Sequence, residues 1–222
     1  MKKIIIIITL ILVAFSLIFA QDTVALTLKV KGDVKLDRAG KNSKIKTGEM
    51  LLNNDQLESK EDSYAAVKFV DGSSIVKLFP NSILRIKTEK KENQLNKKSY
   101  LQVGNLWSKV IKKTGVFEIE TPTTVVSVKG TNFLLKVDEN GFTELYTLEG
   151  KVKISNKKNS KSTIVTAGNK AKSDGKNLEV SKTEKSDLDK EILQIIEDEM
   201  NSIRFEIKDE DGESKNIKID FE

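Results

Sequence analysis

The chain has 222 residues, with 38 Lys and Arg against 33 Asp and Glu, no histidine and no cysteine. Those two absences exclude an imidazole general base, a histidine-ligated metal, a thiolate nucleophile, a zinc centre of the usual nitrogen and sulfur kind, and any disulfide. The net charge of +5 hides a division: residues 21–181 hold 29 basic and 19 acidic side chains (+10), while residues 182–222 hold 7 and 14 (−7).

Met1-Lys2-Lys3 is a short basic head, Ile4 to Phe19 is almost wholly apolar, and Ala20 is a small residue followed by Gln21. That is the layout of a secretory signal peptide cleaved between Ala20 and Gln21; an uncleaved anchor is the other reading, because the apolar run approaches the ~20 residues of a membrane span. Either way the expectation is an exported protein, periplasmic or extracellular. It would touch membrane only if the segment is kept, and no cytoplasmic domain would precede that segment. The expected division is a signal peptide over 1–20, a β domain over 21–181 and an acidic appendage over 182–222.

Between Thr23 and Val180 the apolar period is two, in short runs bounded by turn residues, which is the strand signal. Tyr64 to Val70 and Ile75 to Phe79 flank Asp71-Gly72, so a hairpin is predicted there. Pro80-Asn81-Ser82 closes the second strand and Ile83 to Ile86 begins another. Thr88 to Ser99 has no apolar residue but Leu95 and is predicted to be an exposed loop, after which Leu101 to Trp107 resumes the strands. Gly32, Gly104 and Gly150 each stand between apolar residues at uneven intervals, as at bulges or bends. The fold class is therefore mainly β: an irregular β-roll or solenoid-like stack, or a sandwich, of short strands.

After residue 180 the period changes. Ser186 can cap a helix on which Leu188, Ile192, Ile195, Ile196, Met200 and Ile203 form one apolar stripe with acids opposite. Phe205 and Ile207, then Ile217, Ile219 and Phe221, alternate around a turn containing Asp211-Gly212, so a small hairpin follows. This appendage either closes an open edge of the β domain or docks on another protein.

With histidine and cysteine absent, catalysis would need Ser/Lys, Ser/Thr with a carboxylate, or paired carboxylates. Glu118 and Glu120 share a strand face, but Phe117 and Ile119, which alternate with them, make this the wet side of a half-buried strand. Asp138-Glu139-Asn140-Gly141 resembles part of a calcium loop in composition, lacks its ligand spacing and is predicted to be a hairpin turn. No phosphate-binding loop or nucleic-acid motif is present. The expectation is a protein that is not an enzyme and carries no cofactor.

Thr121-Pro122, Val125 to Val128 and Lys129-Gly130-Thr131-Asn132-Phe133 together resemble the signature of the FecR domain family. Gly48-Glu49 with Leu51 and Asp55, Ala65 to Val67 with Asp71-Gly72-Ser73, Leu101 to Gly104, Thr147 to Val152 around Gly150, and Ala167-Gly168 resemble further segments in the same order, from about Leu28 to Gly168. In physical terms Pro122 ends one strand, Gly130 lets the chain bend, Phe133 re-enters the core and the Thr131 hydroxyl bonds locally across the bend. These residues thus read as an architectural corner. The resemblance implies an extracytoplasmic, non-enzymatic β domain, and its best-known members relay a signal from an outer-membrane receptor to a sigma factor. No anti-sigma segment is expected here, so the expected role is contact with an unidentified envelope protein in sensing, signalling or scaffolding. An anionic envelope polymer bound by the lysine-rich body is the alternative.

Overall fold

The computed structural model describes residues 22–188 except 93, 112 and 113, the isolated positions Lys190 and Gln194, and the backbone of residues 202–208 and 214–220. The expected signal peptide, with Ala20 and Gln21, lies outside the described residues. Among the described residues no helix is long and apolar enough to cross a membrane.

In chain order the strands are β1 (Thr23–Lys31), β2 (Val34–Arg38), β3 (Lys41–Lys44), β4 (Met50–Leu52), β5 (Gln56–Ser59), β6 (Tyr64–Phe69), β7 (Ser74–Leu78), β8 (Ser82–Arg85) and β9 (Thr88–Lys91). The long β10 (Gln94–Val110) is followed by β11 (Phe117–Glu120), β12 (Thr124–Val128), β13 (Asn132–Val137), β14 (Thr143–Glu149), β15 (Lys151–Asn156), β16 (Ser162–Thr166), β17 (Asn169–Ser173) and β18 (Leu178–Lys182). They form one 18-stranded sheet.

That sheet curls into two layers because β10 belongs to both. Its second half pairs with β7 and β13 in a front layer ordered β4-β1-β6-β7-β10-β13-β14-β17-β18. Its first half pairs with β8, β9 and β11 in a back layer ordered β3-β2-β5-β8-β10-β11-β12-β15-β16. The β10–β11 pairing is parallel, Lys97 to Tyr100 running beside Phe117 to Glu120. The chain leaves the back layer along β10, crosses the front and returns alongside its own start, which is one coil of a roll. The architecture is thus a sandwich that contains one roll-like turn.

Period-two alternation sends one side of each strand between the layers. Phe117 of the back layer packs edge-on to Phe69 and Phe133 of the front, at 6.3 and 6.5 Å between ring centroids. Around them Val34, Leu57, Val67, Leu84, Leu106, Val126, Leu135, Leu145 and Ile154 are buried in a single core. The predicted hairpin at Asp71-Gly72 is β6–β7.

Two expectations are corrected. Thr88 to Ser99 is no exposed loop: Thr88–Lys91 pairs with Gln94–Lys97, and Lys97 is buried. Polar residues build these strands because backbone pairing, not apolar burial, holds them. The other concerns the ends of the amphipathic helix, of whose middle only Lys190 and Gln194 are described, both helical. Ser186 lies inside a 3-10 turn, Lys185–Asp187, which follows Glu184, and Leu188 after it is extended. Ile203 lies in β19 (Ser202–Lys208), which pairs with β20 (Ser214–Asp220) in the expected hairpin. Ile203 alternates with Phe205 and Ile207, and that strand period prevails over the helical one at this end. Ile192, Ile195, Ile196 and Met200 lie outside the described residues.

Candidate functional site

Asp71 and Ser73 flank Gly72, whose φ of 65° closes the β6–β7 turn. The turn leans on β10, where the Lys97 ammonium is ion-paired to Asp71 Oδ2 and donates to Ser73 Oγ (2.7 Å) and to the Thr114 carbonyl (3.1 Å). Thr114 Oγ1 also donates to Asp71 Oδ2 (3.1 Å), and Ser73 donates to Oδ1 through its amide (3.1 Å) and its hydroxyl (2.8 Å). Burial alone would raise the Asp71 carboxyl, but the Lys97 and Ser73 hydrogen bonds outweigh it and hold it below its ordinary value. Every donor of Lys97 and both oxygens of Asp71 are therefore engaged inside the fold. Beside this turn lies a cleft of about 580 Å³ lined by Asp22, Thr23, Asn53, Asn54, Asp71, Thr88, Lys90 and Gln94 among others. Its half-buried carboxylate, Asp71, is already neutralised by Lys97.

Thr121 and Pro122 form the turn between β11 and β12. Thr121 Oγ1 accepts from the Thr124 amide (2.9 Å) and bonds the hydroxyls of Thr124 (2.9 Å) and Thr143 (3.1 Å), all three buried. Thr123 Oγ1 donates to the Gly141 carbonyl (2.6 Å), so this back-layer turn is cinched to the front-layer turn at Asp138–Gly141. Asp138 Oδ1 there accepts the amides of Asn140 (2.9 Å) and Phe142 (2.8 Å), which makes it a turn former.

Gly130 (φ 73°) turns the chain from β12 into the front layer, and Phe133 enters the core fully buried. A Cβ on Gly150 would lie 2.9 Å from the Gly130 carbonyl, so these two corners stack directly. Thr131 departs from expectation: its hydroxyl is buried without a hydrogen-bond partner, since its methyl faces Gly150. Gly104 (φ 99°) is the corner at which β10 changes layers.

Ser63 and Ser82, which the sequence did not single out, clasp two of these corners. Ser63 Oγ accepts the Asp33 amide (2.8 Å) just after Gly32 and donates to the Glu61 carbonyl (3.0 Å). Ser82 Oγ accepts the Asn105 amide (2.8 Å) just after Gly104 and donates to the Pro80 carbonyl (3.1 Å). Glu118 and Glu120 point outward as expected, accepting from Ser127 Oγ (2.9 Å) and Lys157 Nζ (3.0 Å). Among the described residues no group of three carboxylates is placed to hold a metal ion.

Residues 55–153 match the model of the family described as FecR protein. Over those residues the chain is similar to a FecR domain. Two crystal structures of a candidate anti-sigma factor from Parabacteroides distasonis ATCC 8503 are also similar, each with 18% sequence identity, a TM-score of 0.48 and coverage of 58% of this chain. The chain spans 58% of the length of that protein. No curated protein matches the sequence.

The matched segment runs from the corner before β5 into β15 and so contributes the middle strands of both layers, whose outer faces differ. On the back, Tyr100 lies between Arg85 and Glu120 in register, with Lys87 and Lys157 ammonium groups 5.9 and 5.6 Å from its ring centroid. On the front, one outward row reads Ala66, Lys77, Trp107, Leu134, Tyr146, Lys170 across β6, β7, β10, β13, β14 and β17. Lys77 Nζ sits 4.5 Å from the Trp107 ring centroid and Lys136 Nζ 5.6 Å from that of Tyr146. With Tyr64 and Phe79 these side chains form a second apolar cluster, separate from the inner core.

Proposed function

We propose that the protein is a non-enzymatic, exported FecR-type module that works by contact with a protein partner in the cell envelope, in sensing, signalling or scaffolding. The observation that carries this reading is the commitment of the family's polar signature to internal bonds. Asp71, Ser73 and Thr121 all bond within the fold, so the signature builds corners and leaves the outer faces to act. The family match over residues 55–153 supports the same assignment.

A second reading, binding of an anionic envelope polymer, draws on the back face, where Lys87 and Lys157 flank Tyr100. An aromatic ring between two ammonium groups can stack on a sugar-like ring while the cations meet acid groups.

Cross-linking on intact cells followed by mass spectrometry tests the first reading. The expected result is one envelope protein captured reproducibly through defined residues of the β domain. Failure to capture any protein, together with binding of purified protein to an anionic glycan that weakens steeply with salt, would replace it with the second.

A further inference from the structure

Trp107, Leu134 and Tyr146 point away from the inner core, yet Trp107 is 3%, Leu134 0% and Tyr146 2% exposed. An outward row on a sandwich is normally wet, so something lies on it. Strands β1–β18 all lie within the two layers, and β19–β20 form a separate two-stranded sheet that pairs with neither layer.

The course of the chain after β18 shows what arrives there. Thr183 donates to the Gly168 carbonyl (2.9 Å), and four residues later Asp187 Oδ1 meets Lys170 Nζ at 2.5 Å. Lys136 Nζ reaches the Asp187 carbonyl (3.5 Å), and Leu188 packs into the Trp107–Tyr146 cluster. The chain is thus laid on the front face, at the end of the row nearest β17.

We infer that the acidic segment 187–201 is the occupant of this face, with its isoleucines seated on Trp107, Leu134 and Tyr146. Its chemistry matches. Ile192, Ile195, Ile196 and Met200 continue from Leu188 at spacings of three and four, and Asp189, Glu191, Glu197, Asp198 and Glu199 supply negative charge. The face carries Lys77, Lys136, Lys170 and Lys172. Its length matches as well. Residues 189–201 as a helix would rise about 20 Å, and the row from β17 to β7 crosses four strand spacings of ~4.8 Å, about 19 Å. Trp107 Nε1 is buried without an acceptor, which fits an apolar rather than a polar cover at that point. A second copy is disfavoured because the tether that ends at Leu188 keeps this segment at a local concentration of roughly millimolar.

The inference does not depend on the envelope partner and is tested on purified full-length protein. Trp107 is the single tryptophan and reports directly on the face. The double variant Ile195→Glu/Ile196→Glu should shift its emission to the red and raise acrylamide quenching several-fold while the β-sheet circular dichroism is retained. Lys170→Glu should expose it partly, and Lys170→Glu/Asp187→Lys should restore shielding even if the isoleucine variant is poorly folded. Unchanged emission and quenching in the isoleucine variant, or no restoration by the charge swap, would overturn the assignment. So would wild-type shielding that is lost on dilution, which would make a second copy the occupant.

Discussion

Lys97 is a cation with 1% of its side chain exposed. It is tolerable there because Asp71 neutralises it and Ser73 and Thr114 complete its donors. The arrangement has a pH signature. Asp71 ionises below its ordinary value in the native state, so its stabilisation is fully present above the unfolded value of about 3.9 and is lost as pH falls through the lowered native one. Asp71→Asn should therefore be less stable than wild type at pH 7, with the gap narrowing below about pH 4 as wild type itself becomes protonated. Urea midpoints measured from pH 7 to pH 2 check this, and a gap that widens on acidification would contradict it. Gly104 is constrained differently: a Cβ there would fall 2.1 Å from Ser82 Oγ and 2.5 Å from Ser82 Cα, at a φ of 99°. Gly104→Ala should cost on the order of 2–4 kcal/mol from strain and overlap together, read as a lowered denaturation midpoint.

At the scale of elements, crossings between the layers turn on positive-φ residues, among them Gly32, Asn54, Asp62, Asn81, Gly104, Gly130 and Gly150. Two of these crossings repeat one device: a positive-φ Asp62 or Asn81 precedes a serine whose hydroxyl accepts the amide after a glycine in the adjacent corner. Ser82→Ala would leave the Asn105 amide unpaired and should cost about 1–3 kcal/mol. Equilibrium denaturation should show a shifted midpoint at unchanged slope, as for loss of one local bond. Such corners were half legible. Gly104, Gly130 and Gly150 stood out because glycine interrupts alternating apolar runs, and the β6–β7 hairpin because Asp-Gly lies between two of them. Ser63 and Ser82 did not, because a lone serine among polar residues carries no pattern. The β9–β10 pairing was hidden for a related reason: its inward group is Lys97, and the partner that makes burial possible is 26 residues away in the chain. The outer row of the front layer takes one residue from each strand, so its only local trace was a run such as Phe133-Leu134-Leu135, apolar on both faces.

At the scale of the whole molecule, the two faces are chemically unlike. The back is polar and open around Tyr100, while the front is aromatic and shielded. Interior and exterior are therefore not simply the inside and outside of the sandwich: the middle strands of the front layer are buried on both sides, while the middle of the back layer alternates between core and solvent. The layers also share β10, each of whose halves is a central strand of its own layer. Neither layer can peel away intact, because detaching one pulls a middle strand out of the other. Native-state hydrogen exchange should reflect this, with the amides of Leu106 and Leu101 released in one cooperative opening and not as separate front and back units. Such a shared strand means that strain applied to either surface is felt as tension through the middle of both.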